Sequence, residues 1–162
     1  MTIRVTKITG KQLLDMACAY TVGQPVDVKN LRKMYLSEHS PIRTQIYVIQ
    51  MDGIPSFVST HLVRHNVGVS HFVKSNRIDR GGDADVNRLT PVNHMMLINA
   101  QALINMARKR LCGKASDETQ AVMFAIRDQM VKVDPDLASC MMAECEYRRG
   151  CYEFQTCGRW GR

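Results

Sequence analysis

The stretch TQIYVIQMDGIPSFVSTHLVRHN, residues 44–66, carries a strand, a turn and a helix in immediate succession. From Thr44 to Met51, β-branched and aromatic residues partly alternate with polar ones, which predicts a strand, and Asp52-Gly53 predicts the turn that closes it. Pro55 suits the first turn of a helix, and Phe57, Val58, His61, Leu62 and His65 recur at helical spacing, predicting a helix over residues 55–66. Its end sets Arg64 and His65 side by side.

Downstream, Val67 to Lys74 reads as a short strand, and the polar, glycine-bearing segment from Ile78 to Leu89, with Asp79, Asp83 and Asp85, as a surface loop. Thr90-Pro91 resembles a cap followed by first-turn proline, and the apolar pattern from Met95 to Leu111 predicts the longest helix, ending near Cys112-Gly113. Ser116, Asp117 and Glu118 favour a new helix N-terminus, with apolar positions continuing to Val133, and Asp134-Pro135 starts a short helix to about Ala143. The segment from Glu144 to Arg162 has no periodicity. Upstream, Thr9 with Gln12 predicts a capping box for a helix near 10–20, Asp27 a cap for one near 28–36, and Gly23 and Pro25 the loop between them.

The 162 residues contain no linker-like stretch, so one α+β domain is expected: a small twisted antiparallel sheet packed with helices, over residues 1–139, with residues 140–162 as a Cys-rich tail of the same domain. No apolar run approaches the ~18 residues of a membrane span and the N-terminus lacks the apolar centre of a signal peptide, so a cytoplasmic protein is expected. The net charge of +7 calls for an anionic partner, polymer or nucleotide, or else a basic solvated surface.

Phosphate recognition needs clustered guanidinium forks with hydroxyls to fill the remaining acceptor sites. Arg64 and His65, followed by Lys74, Ser75 and Arg77, offer such a set. The same residues carry a resemblance. Flavin-dependent thymidylate synthases have a glutamate-histidine pair before a strand, a helix ending in Arg-His-Arg, and a strand ending in Ser-x-Arg, usually followed by tyrosine. This chain has Glu38-His39, the strand from Thr44, Arg64-His65-Asn66, and Ser75-Asn76-Arg77; its Asn99-Ala-Gln-Ala-Leu103 with Asn105 and Arg110 is similar to the family's Asn-Ala-Arg-Ser-Leu helix, and Gln120-Ala121 and Ala125-Ile-Arg127 to its next one. The match spans roughly residues 30–133. Asn66, Gln101 and Ile78 replace Arg, Arg and Tyr of the pattern, the glutamate before the serine is absent, and the segment from His65 to Ser75 is one residue longer. A bulge would absorb that residue and keep Ser75 and Arg77 in place.

The resemblance implies FAD binding through His39, Arg64, His65, Asn66, Asn99 and Asn105, with Gln120 either near the flavin or simply an exposed helix residue. It implies nucleotide binding through His61, Ser75, Arg77 and Arg110, and catalytic roles for Arg64, Ser75 and Arg110. His61 stands where the family often has glutamine, and reads equally as an ordinary helix-face histidine. The implied reaction is reductive methylation of the pyrimidine ring of a deoxyuridine nucleotide (dUMP). NADPH and methylene-tetrahydrofolate are the implied co-substrates, and a homotetramer with shared flavin sites the implied assembly.

A binding protein for nucleotides or nucleic acid that kept the fold without the chemistry, and an enzyme acting on another pyrimidine, are the alternatives. In the tail, Cys140, Cys145, Cys151 and Cys157 suggest a zinc or iron-sulfur site, against free or partly buried thiols in a reducing compartment. Cys18 and Cys112, each among apolar neighbours, read as inert thiols.

Overall fold

The computed structural model describes residues 1–82 and 85–160; Asp83, part of the expected surface loop, lies outside them. Strands β1 (Thr2–Lys7), β2 (Ile46–Pro55), β3 (Val69–Val73) and β4 (Pro91–Asn99) form one antiparallel sheet in the order β1-β2-β4-β3. Helices α1 (Lys11–Val22), α2 (Leu31–Leu36), α3 (Ser56–Val63), α4 (Ala100–Arg110), α5 (Asp117–Val133), α6 (Pro135–Ala138) and α7 (Glu144–Arg148) complete the α+β architecture that the sequence predicts.

Cross-strand register sorts the two faces. Rows such as Val5–Ile49–Met96–His71 and Ile3–Met51–His94–Val73 point toward the helices, and most of their members are buried. The opposite rows, Val48–Leu97–Ser70 and Gln50–Met95–Phe72, face away, with Phe72 54% and Leu97 39% exposed. A sheet with one apolar face covered alternates in this way, and here the uncovered face is itself partly apolar.

Several sequence expectations change. Asp52-Gly53 does not end β2: Gly53 takes φ 72° inside a register shift between Met51 and Ile54, so its left-handed backbone serves a bulge and the strand runs on to Pro55. Residues 91–99 are strand, not helix, because Val92, His94, Met96 and Ile98 alternate inward between two partner strands; Pro91 needs no N–H at the first position of a strand. The helix of this region is therefore only α4, capped by Asn99, whose side chain accepts from Ala102 N–H at 2.9 Å.

At the N-terminus, Gly10 precedes α1, while Thr9 Oγ donates to the Thr44 carbonyl and accepts from Ile46 N–H, lengthening the β1–β2 pairing in place of a capping box. Asn30, not Asp27, caps α2, and Asp27 instead pairs with Lys11 and Lys29. Ser116 caps α5 as expected, and Asp134 caps α6, which stops at Ala138, short of Ala143.

One buried carboxylate ties these layers. Asp134 is 4% exposed, and its Oδ2 accepts from Lys7 Nζ at 2.6 Å, Tyr47 OH at 2.7 Å and Tyr35 OH at 2.9 Å, joining β1, β2 and α2 to the end of α5. Burial alone would push its carboxyl up; Lys7, Tyr47 and the Leu137 N–H hold it below the ordinary carboxylate value.

Candidate functional site

Helix α3 ends beneath Arg64, and α4 carries Arg110 in its last turn toward the same point. Arg110 Nε donates to His65 Nε2 at 3.0 Å, and Nη2 donates to the His61 carbonyl at 2.7 Å. A guanidinium only donates, so His65 Nε2 must be the acceptor and the ring is neutral, with its proton on Nδ1. Burial first, and then the Arg110 charge, hold His65 down at about 4. His61 Nδ1 lies 3.2 Å from Thr119 Oγ, which ties α3 to the first turn of α5, and burial with Arg110, Arg64 and Arg88 lowers its pKa.

Arg110 is half-buried, its pKa lowered by burial and by Arg64, and among the described residues neither arginine pairs with a carboxylate. An open cavity of about 270 Å³ reaches His65 and Arg110 and continues past Lys109, which is paired with Glu153, to Lys114. Positive charge set against neutral acceptors in this way suits an anionic ligand.

A second chain of groups leads away from His65. The His65 carbonyl can only accept, so His71 Nε2–H donates to it at 2.7 Å. His71 Nδ1 must then accept from His94 Nε2–H at 3.0 Å, and His94 Nδ1 from Ser59 Oγ–H at 3.0 Å. Every proton in this relay has one assigned place when both rings are neutral. His94, 2% exposed, is held at about 4 by burial and by His71.

Neither a protein-family model nor a curated protein sequence matches the chain. Solved structures do. Thymidylate Synthase X (ThyX) from Helicobacter pylori, crystallised with FAD and dUMP, superposes with a TM-score of 0.70 at 15% identity, covering 87% of this chain and 99% of that one. The chain has the ThyX fold. A second Helicobacter pylori ThyX complex with FAD and dUMP gives 0.65 at 15% identity over 80% and 93% of the two chains. A UMP/dUMP methylase, PolB from Streptomyces cacaoi bound with 5-Br dUMP, gives 0.64 at 14% over 86% and 94%.

Within this ThyX fold, the structure brings His61, His65 and Arg110 into direct contact, with Arg64 close enough to perturb Arg110. Asn66 is exposed in the turn to β3. Asn99 lies against that turn, where Gly68, at φ 74°, leaves no room for a Cβ beside the Asn99 amide. Asn105 is exposed one turn along α4 and accepts from Gln101.

Gln101, standing where the resemblance has arginine, also donates to Glu38 Oε2 at 2.6 Å, and Arg108 ion-pairs with Glu38. Burial pushes the Glu38 carboxyl up, but Arg108 and Gln101 bring it below its ordinary value. His39 follows as an exposed residue at the start of the 3-10 turn Ser40–Thr44. Gln120 Nε2 donates to the Ala115 carbonyl at 2.9 Å.

Among the described residues no hydrogen bond joins Ser75 or Arg77 to this junction. Arg77 forms a two-bond pair with Asp79, at 2.9 and 2.7 Å, and its N–H reaches Ser75 Oγ. Strand β3 pairs with β4 without a bulge from Val69 to Val73, so the ladder itself does not contain the expected bulge.

The cysteines regroup as well. Cys140 is 4% exposed, with its thiol 3.9 Å from the Arg32 carbonyl, away from the tail cysteines. Among the described residues no three His, Cys, Asp or Glu side chains stand close enough to share one metal ion. The sequence reading missed His71 and His94. Recognising the period-2 pattern of residues 92–98 would have turned His94 inward.

Proposed function

We propose that the chain binds FAD and a deoxyuridine nucleotide at the Arg64–His65–Arg110 junction and carries out thymidylate synthase-like reductive methylation of the pyrimidine. The observation that carries this reading is the uncompensated pair of arginines, one of them half-buried, meeting a neutral histidine in a fold whose solved examples hold FAD with dUMP, or 5-Br dUMP. The donor set fits such ligands. Arg110, already fixed by two hydrogen bonds, offers its charge in a preset orientation to a phosphate or to a pyrimidine oxygen that gains negative charge.

Arg64, exposed at the helix end and free of a carboxylate partner among the described residues, is assigned to the flavin together with His39, His65, Asn66, Asn99 and Asn105. Neutral His65 accepts from Arg110, keeping that guanidinium aimed into the site. The flavin, when bound and reduced by NADPH, supplies reducing equivalents, with methylene-tetrahydrofolate as carbon source. The uncovered, partly apolar sheet face supports an oligomer, here a homotetramer in which a second copy would complete the nucleotide site with Ser75 and Arg77.

The test is titration of folded protein with oxidised and reduced FAD, followed by dUMP. Saturable binding is expected, with Arg64→Ala weakening the flavin and Arg110→Ala the nucleotide. Failure to bind FAD in either redox state overturns the proposal. Salt-steep binding to a polynucleotide without flavin would establish the binding-protein alternative instead.

A further inference from the structure

Four thiols converge where the sequence spacing alone does not put them. Cys112, in the turn after α4, joins Cys145 of α7 and Cys151 and Cys157 of the tail in lining one cavity of about 110 Å³. All four are free thiols, three of them half-buried and Cys157 exposed. The Cys157 sulfur lies over the Cys112-Gly113 turn, 3.1 Å from where a Cβ on Gly113 would stand.

The segment that brings three of these thiols has little else to order it. No residue after Ala143 is among the fully buried apolar side chains, and Tyr152 and Phe154 are 71% and 97% exposed. Beyond α7 the described tail has no regular element. Yet it folds back on α4, with Arg108 stacked 3.9 Å over the Tyr147 ring and Lys109 paired with Glu153. Exposed pairs of this kind contribute little, whereas a centre held by several thiolates supplies folding free energy directly.

We propose that Cys112, Cys145, Cys151 and Cys157 ligate one iron-sulfur cluster that staples the tail to the end of α4. A single ion would draw its thiolates in to Zn–S distances of about 2.3 Å and close the cavity that these four cysteines line. A cubane of iron and sulfide needs the opposite arrangement, four cysteines standing back around an enclosed space. Cluster and thiolates together carry net negative charge, and Lys109, Lys114 and Arg148 line the cavity with Glu144 and Glu153, leaving cations in excess. The staple sits two residues beyond Arg110, and its cavity shares Cys112, Lys109 and Lys114 with the opening that reaches His65 and Arg110. The cluster site stands independently of the nucleotide reading.

The experiment is anaerobic purification of the full chain, followed by iron, sulfide and zinc analysis and by EPR of the dithionite-reduced protein. About four iron and four sulfide per chain are expected, with broad visible absorption that survives removal of flavin and a reduced-state EPR signal. Cys151→Ser and Cys157→Ser should lose the iron, while Cys140→Ala keeps it. Wild-type protein containing zinc in place of iron, neither metal, or disulfides among these cysteines would overturn the proposal, as would iron lost in Cys140→Ala but kept in Cys151→Ser. The wild-type measurements decide the matter even if a variant fails to fold.

Discussion

Asp134 and Arg110 are two charges drawn into the interior, and their surroundings differ in kind. Asp134 is met by a lysine, two tyrosine hydroxyls and a backbone N–H, so its charge is answered inside the fold. Arg110 is met by a histidine nitrogen and a carbonyl, which hold its orientation but leave its charge, and Arg64 adds to the imbalance. A satisfied buried charge links elements; an unsatisfied one is positioned for something outside the chain.

The comparison breaks most visibly at Asp134. Replacing it with Ala strands Lys7 and two buried hydroxyls, and should cost about 3–5 kcal/mol in denaturant unfolding. A loss below 1 kcal/mol would mean that the node does not bind the layers together.

Acid should act next, through the histidine relay. His94 is depressed from 6.5 to about 4, so the unfolded chain takes up the proton first; the stability this gives is complete above pH 6.5 and drains away as pH falls toward 4. The loss across that window should be on the order of 3 kcal/mol for His94. His65 adds in the same direction, more weakly because solvent screens it. Unfolding free energies measured from pH 7 to 4 should fall more gently in His94→Gln, and equal slopes would sink the assignment.

At Arg110 the readout should change from stability to affinity. Arg110→Gln is expected to lower dUMP affinity by roughly ten- to a hundredfold, on the order of 1.5–3 kcal/mol, with a much smaller change in unfolding free energy than Asp134→Ala. Equal stability losses at the two sites would erase the contrast between them.

The smallest effect separates two roles of one residue. Asn99 caps α4, so Asn99→Ala should cost about 1 kcal/mol and Asn99→Ser much less. If flavin affinity falls in both variants while stability falls only in the first, Asn99 also touches the ligand; if flavin affinity follows stability, it is a cap alone.

Local signals were legible wherever they decide structure by themselves. The strand expected from Thr44 and found from Ile46, the helix expected from Pro55 and found from Ser56, the Ser116 cap and the Arg64-His65 pair were all readable in order, and with them the α+β class. Thr90-Pro91 and Asp52-Gly53 misled because the same dipeptides serve a helix or a strand start, and a turn or a bulge. The choice is made by pairing partners far along the chain.

The sequence by itself determined which residues form an alternating strand, which helices are capped and where basic side chains cluster, since these depend on neighbours a few positions away. Tertiary structure alone decided that His71 meets His94 and His94 meets Ser59, that Arg110 grips His65 and that Arg77 does not, and that Cys112 replaces Cys140 beside the tail cysteines. Those groupings join residues tens of positions apart, and nothing in linear spacing specifies which faces of sheet and helix will be brought together.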